Sequence, residues 1–467
     1  MKKCILYFSA IFFTVSSYAQ PVTQSLSKPE TRNPYPATRN PYPATRNPLP
    51  STAQIKWLAN PFYLFLHFGP NTFTGKEWGD GKERTEVFNP TELDCEQWCK
   101  VAKSAGAKGL IITAKHHDGF CLWPSKLSTH TVREAGFKRD ILAELSAACK
   151  KYGLLFGVYL SPWDRNHPDY GTEKYNDIYV GMMKEIFQNY GPIWELWWDG
   201  ANGEGPNGKK QVYDWKRFES FVRTNSPQTV VFSDIGPDIR WVGNEQGFAS
   251  ETNWALLDTA GFKRGEGAPP TDTLQTGNYR GKQFMPAEVD VSIRKGWFFR
   301  ETENETVKSA DQIMDIYLKS VGRNANLLLN VPPTTRGKIH EKDSAALLNF
   351  ATKREALLNK NILQKAIRNI TEPDKNNPTK KYSWYYILKE PVTLRGLYLK
   401  EDLLYGQKIA SLQITVSNKG EAVFRKTITT VGNNRIIVFP EPVEASEVAI
   451  VVLDSKGLPV IKEIRGF

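Results

Sequence analysis

The sequence predicts an α/β fold: a (β/α)8-like barrel of the TIM type, followed by a C-terminal antiparallel β-sandwich. Three observations carry that expectation. From residue 55 to 358 short apolar runs alternate with amphipathic stretches, the pattern of parallel strands joined by helices. After residue 360 the helical spacing stops, and short strand-like runs separated by turn residues take over. Finally, the apolar run Leu110-Ile111-Ile112 ends in Lys115-His116-His117-Asp118-Gly119. Ionisable side chains thus stand where a strand passes into a loop, the end at which such barrels carry their chemistry.

The elements follow in chain order. Residues 1–19 read as a secretory leader, with Lys2-Lys3 ahead of the apolar stretch Ile5 to Val15 and Ser17-Tyr18-Ala19 as the small-x-small cleavage site. Export to the periplasm or the medium is therefore expected. Residues 20–54 read as a linker, because TRNPYPA, TRNPYPA and TRNPLPS repeat across 31–51 with two prolines in each copy. Expected barrel strands are 62–68, 109–113, 155–160, 193–198, 229–233 and 326–331. Helices are expected at 92–105, 140–152, 173–190, 211–224, 309–321 and 342–359. Residues 247–300 are too rich in Gly and Pro to assign, so closure of the barrel is an inference. The sandwich, residues 360–467, rests on runs at 382–388, 393–399, 411–416, 435–439 and 448–453.

Composition narrows the function. The 467 residues carry a net charge of +11, but the basic residues are scattered rather than striped, which argues against nucleic acid as a partner. The leader's apolar run is too short to span a bilayer and no later segment is long and apolar enough, so no membrane span is expected. Thirteen tryptophans suit a surface that stacks on sugar rings, although most should be ordinary core. Cys95, Cys99, Cys121 and Cys149 remain after the leader; free thiols are the expectation. Nothing here speaks to the oligomeric state.

Two carboxylates attract notice. Asp199 ends the run Ile193-Trp194-Glu195-Leu196-Trp197-Trp198, so its side chain should project at the barrel mouth, with Trp197 and Trp198 as a dry wall beside it. The following Gly200-Ala201 is loop, which makes helix capping the weaker account of Asp199. In the loop after the fifth strand, GPDIRWVGNE, Glu245 lies near Trp241, an apolar wall able to raise its pKa. Asp238 and Glu251 compete with it, and spacing gives Glu245 a small edge. Hydrolysis of a glycosidic bond uses two such groups, one ionised and one protonated. His116, His117 and Asp118 also invite a metal, but neighbours on an extended backbone point to opposite sides, and no HExxH-type helix pair accompanies them. Lys115 as a Schiff-base lysine would have to be buried at a strand centre, and it is expected at the rim.

At this point a resemblance enters. Phe65-Leu66-His67-Phe68-Gly69, Lys76-Glu77-Trp78-Gly79, Ala114-Lys115-His116-His117-Asp118-Gly119-Phe120, Gly157-Val158-Tyr159-Leu160-Ser161-Pro162-Trp163 and Glu195-Leu196-Trp197-Trp198-Asp199-Gly200-Ala201 occur in order. Together they resemble the α-L-fucosidases of glycoside hydrolase family 29. The resemblance implies a retaining exo-fucosidase on the expected fold, acting on a fucosylated oligosaccharide or glycoconjugate with no cofactor and no metal. It implies Asp199 as nucleophile and Glu245 as acid/base, and GPDIRWVGNE resembles the branch preferring α-1,3/1,4-linked fucose. His67, Glu77, Trp78, His116, His117 and Tyr159 are the implied sugar contacts, with Trp297 against the sugar's methyl group. The chemistry agrees: neutral imidazoles both donate to and accept from hydroxyls, Glu77 accepts from two hydroxyls at once, and indoles cover a methyl. A silent fucose-binding protein on the same scaffold, or a fucosidase of broader linkage range, is the alternative.

Overall fold

A computed structural model describes residues 48–373 and 381–467. The expected leader and most of the expected linker lie outside the described residues. Ser51, the last residue of the third repeat, caps the helix Thr52–Leu58: its Oγ accepts from the Gln54 N–H, and the Gln54 side chain accepts from the Ser51 N–H. Gln54 Nε2 then donates to the Asp238 and Phe284 carbonyls, docking the helix. The linker therefore stops at Ser51, not at residue 54 as expected; a capping box, not proline content, sets the boundary.

Eight parallel strands close a barrel: β1 (Phe62–Leu66), β2 (Gly109–Lys115), β3 (Leu155–Leu160), β4 (Glu195–Trp197), β5 (Val230–Ser233), β6 (Ile239–Trp241), β7 (Ala287–Ser292) and β8 (Ala325–Asn330). Six of them fall where the apolar runs predicted. The helices also match, Glu173–Tyr190 to the residue. Aspartates start several of them: Asp94 and Asp140 accept from the N–H groups of Gln97 and Ala143.

Two strands sit in segments read otherwise. β6 lies inside GPDIRWVGNE, expected as loop, and pairs with both β5 and β7. Its central Arg240 is buried, donating to the carbonyls of Leu274 (2.9 Å) and Met285 and to Asn253 Oδ1 (2.8 Å). That side chain anchors the excursion 242–286, which holds only the helix Thr271–Thr276 and a two-strand ribbon, Leu256–Leu257 with Gln283–Phe284. β7 runs Ala-Glu-Val-Asp-Val-Ser, whose alternation puts Glu288 and Asp290 on one face.

Alternation along the strands separates two cores. Tyr63, Phe65, Ile111, Tyr159, Trp197, Phe232 and Leu328 pack together inside the barrel. Leu64, Leu110, Ile112, Val158, Leu196 and Val231 face the helices. Trp198 belongs to the second set, 5.5 Å from Trp215, so it does not share the cavity wall with Trp197 as expected. One-residue spacing on a strand sends the two indoles to opposite sides.

The C-terminal part is antiparallel, as expected, hydrogen-bonded into a six-stranded sheet with its own apolar core. The runs expected at 382–388 and 393–399 form one strand, Ser383–Glu401, and those at 435–439 and 448–453 form another, Arg435–Ser455. Register shifts at Ile387/Val392 and Leu394/Gly396 keep the ladder continuous where the sequence reads as a break. The sheet docks on the barrel through Asn433 Nδ2 to the Leu58 carbonyl (2.6 Å), Gln407 Nε2 to the Asn253 carbonyl (3.0 Å) and the Arg435–Glu251 ion pair. All four cysteines named above are buried free thiols; Cys99 and Cys149 Sγ stand 3.9 Å apart. No helix among the described residues is long and apolar enough to cross a membrane.

Candidate active site

One cavity at the C-terminal ends of the strands gathers Asp199, Glu245 and the seven sugar contacts that the resemblance implies. His67 follows β1, His116 and His117 follow β2, Tyr159 lies in β3 and Asp199 follows β4. Glu77 and Trp78 come from the loop after β1, Glu245 from the loop after β6 and Trp297 from the loop after β7.

Asp199 is held by two donors. Its Oδ2 accepts the Tyr159 hydroxyl at 3.0 Å, and His117 Nε2 stands 3.7 Å from the same oxygen. Oδ1 accepts the Ala201 N–H at 2.8 Å. The carboxylate is thereby fixed with a quarter of its side-chain surface open to the cavity.

The imidazoles are neutral. Burial lowers His117 to about 4 and His67 to about 3, and it pushes His116 well below the ordinary histidine range. Their neighbours also select tautomers. Ser161 Oγ donates to the Trp163 carbonyl at 2.7 Å, so at 2.8 Å it accepts from His117 Nδ1. Asn330 Nδ2 donates to Ser292 Oγ and the Trp297 carbonyl, which leaves its Oδ1 to accept from His67 Nδ1 at 2.9 Å. In both rings Nε2 is then a bare acceptor. His116 stacks on Tyr159 at 5.5 Å, with no partner at Nδ1 among the described residues.

The opposite wall is tied together by Trp297. Its backbone N–H donates to Glu77 Oε1 at 2.5 Å, and its indole N–H to Glu245 Oε2 at 3.3 Å. Glu77 Oε2 also accepts from Arg300 at 2.6 Å. Glu77 thus spends one hydrogen bond at each oxygen inside the protein, more than the free acceptor read from the sequence. Partial burial raises the Glu245 pKa; the Trp297 hydrogen bond opposes this, and the negative fields of Asp199 and Glu77 add to it. Trp78 is 55% exposed at the rim, its ring edge-on to His117 and Trp163 at 5.4 and 5.7 Å.

A second chamber opens from the first across Trp197, Asp199, Ala201 and Glu245, and continues to Asp234, Trp241 and the loop Gly265–Ala268. The competitors for the acid role lie elsewhere: Asp238 pairs with Arg223 at 2.8 Å, and Glu251 with Arg323 at 2.6 Å.

Two sequence readings are corrected here. His116 and His117 were expected on opposite sides of an extended backbone, but β2 ends at Lys115 and the chain turns, bringing the rings to 4.3 Å. Among the described residues, no three His, Cys, Asp or Glu side chains cluster in a metal-holding arrangement. Lys115, expected at the rim, is fully buried and paired with Asp164 at 3.2 Å and the Tyr175 hydroxyl at 3.2 Å. Ser161 and Asn330, which orient the histidines, were missed. Both lie in segments already picked out, but a residue one shell behind a ring leaves no separate mark in a single sequence.

Comparison with known proteins finds relatives over most of the chain. The Alpha-L-fucosidase family model matches residues 67–352, a span containing every residue named above for the cavity. Alpha-L-fucosidase 1 of Arabidopsis thaliana is 38% identical over 440 residues, covering 88% of this chain and 85% of its own. A glycoside hydrolase 29 family member from an unknown rumen bacterium shares 37% identity, with a TM-score of 0.81 over 90% of this chain and 77% of that one. A Ruminococcus gnavus GH29 fucosidase, solved in complex with fucose, shares 27% identity, with a TM-score of 0.81 over 92% and 96% of the two chains.

Proposed function

The chain belongs to the α-L-fucosidase family, glycoside hydrolase family 29, and on that footing we propose an exo-acting retaining enzyme that removes terminal α-1,3/1,4-linked fucose from glycans. In the first step Asp199 Oδ attacks the anomeric carbon, the glycosidic C–O bond breaks, and protonated Glu245 gives its proton to the departing oxygen. In the second step ionised Glu245 takes a proton from water, whose oxygen attacks the same carbon and frees the Asp199 carboxylate. Two inversions return the original configuration.

The observation that carries this reading is the contrast between the two acids sharing one cavity. Asp199 is held by a tyrosine hydroxyl and a backbone N–H with one side open to the cavity, whereas partial burial and two negative neighbours favour a proton on Glu245. Around them, the bare Nε2 atoms of His67 and His117 await hydroxyl donors, and Trp297 presents an apolar face. A fucose ring, with several hydroxyls and one methyl, suits that lining; a sugar lacking a hydroxyl would leave a buried group unpaired. The second chamber supports the linkage assignment, since it gives room on the leaving-group side for a branched glycan. The leader-like residues 1–19 support export.

Proton NMR of the first sugar released from a Lewis-type trisaccharide tests the proposal. α-L-fucose appearing before its β-anomer is expected. Initial β-fucose would exclude double displacement, and no release at all would favour a silent fucose-binding protein.

A further inference from the structure

β7 turns two buried carboxyls into the barrel, and each accepts the indole N–H of a tryptophan in the cavity wall. Trp197 Nε1 donates to Glu288 Oε1 at 2.7 Å, and Trp241 Nε1 to Asp290 Oδ1 at 2.7 Å. Glu288 belongs to a lower network in which its Oε2 accepts the Tyr63 hydroxyl and the neighbouring Glu195 accepts the Trp57 indole at 2.8 Å. Asp290 stands one step higher on the same strand face, between Glu288 below and Glu245 at the mouth. Burial, then the fields of those two acids, push its pKa well above the ordinary carboxylate range. Burying a carboxyl is costly, and barrels of this type usually fill such layers with branched apolar side chains. Asp290 therefore stands out for what it holds.

The two indoles differ in position. Trp197 lines both chambers, whereas Trp241 lines only the second, beside Glu245 and Asp234. Trp241 is partly exposed there and Asp290 is 4% exposed beneath it, so the hydrogen bond from β6 to β7 fixes how the indole lies in the chamber wall. We propose that Asp290 is a positioning residue for the leaving group: it fixes the Trp241 indole on which the sugar released from fucose rests. The ligand class is a hexose-type sugar whose apolar ring face lies against the indole. This inference rests on the fucosidase reading and adds to it a residue that never touches substrate.

The test compares kcat/KM for a branched Lewis-type glycan with that for α-L-fucosyl fluoride, whose leaving group is too small to reach Trp241. Asp290→Ala and Trp241→Phe should each lower the glycan-to-fluoride ratio by about tenfold, and the double variant by no more than either alone. Asp290→Asn keeps an acceptor and should stay within about twofold of the wild type. Trp241→Phe removes the indole N–H along with part of the ring but keeps an aromatic face, so it remains informative if Asp290→Ala does not fold. An unchanged ratio in Trp241→Phe, multiplying effects in the double variant, or equal losses on both substrates in Asp290→Ala would overturn the proposal. A wild type that cleaves the fluoride but not the glycan would overturn it too, at the level of the leaving-group site; a wild type inactive on both would take the fucosidase reading with it.

Discussion

Tyr159 donates its hydroxyl to Asp199 Oδ2 at 3.0 Å, and its ring stacks with Trp197 at 5.3 Å as well as with His116. The donor is thereby set before any substrate arrives. In double displacement the carboxylate must leave as well as attack, and a hydrogen bond to it favours the leaving step.

Tyr159→Phe should therefore slow hydrolysis of the fucosyl-enzyme more than its formation. A hydrogen bond to a charged group contributes about 1.5–3 kcal/mol, so kcat on an activated aryl fucoside should fall about 10- to 150-fold. KM should fall alongside, because the intermediate accumulates. Steady-state and burst kinetics read both; a raised KM with unchanged kcat would contradict this role.

On the proposed mechanism the pH profile depends on Glu245, which must be protonated to give its proton away. Its raised pKa extends activity toward higher pH, and kcat/KM should fall as pH rises through that value. The Trp297 indole N–H stabilises the ionised form. Trp297→Phe removes that bond, raises the Glu245 pKa further and should move the alkaline limb upward. A limb that moves downward would show that the bond acts otherwise.

Ser161→Ala should act on the substrate through His117, and it also removes the donor to the Trp163 carbonyl. Without an acceptor at Nδ1 the ring is free to take the other tautomer, which presents an N–H rather than a lone pair to the substrate. A neutral hydrogen bond contributes about 0.5–1.5 kcal/mol, so kcat/KM should drop about 2- to 12-fold, and Tm should fall as well because buried polar groups lose their partner. Asn330→Leu should lower kcat/KM through His67 in the same way, while also removing the donor to Ser292 Oγ and the Trp297 carbonyl.

The buried imidazoles also make stability depend on pH. In the unfolded chain they bind protons below about 6.5, whereas in the fold His117 does so near 4 and His67 near 3. Between those values the unfolded state holds more protons, so each imidazole adds about 1.4 kcal/mol of stability per pH unit gained. Burial lowers His116 in the same direction. The Tm difference between pH 6.5 and 4.5 should therefore shrink in His116→Gln relative to the wild type; an unchanged difference would mean that His116 is already charged in the fold.

Much of this was legible in the sequence, for physical reasons. Six barrel strands are apolar on both faces, because helices cover one side and the barrel interior the other. β7 hid because Glu288 and Asp290 point inward and make a core strand read as a solvated one. β6 hid because three residues with a central arginine carry no period. Asp199 was legible as the first polar residue after a buried run. Glu245 was separable from Asp238 and Glu251 only once Arg223 and Arg323 were seen to engage those two. The histidine pair was found but misdirected, since the turn after Lys115 is a backbone event that residue types do not announce.

The central claim is that Asp199 becomes covalently bonded to fucose. Incubation with 2-deoxy-2-fluoro-α-L-fucosyl fluoride, followed by intact-protein and peptide mass spectrometry, measures this directly. The account predicts one added fluorofucosyl group per chain, on the peptide containing Asp199, and none in Asp199→Ala. A label on Glu245 or any other residue, or turnover of the reagent with no label at all, would contradict it.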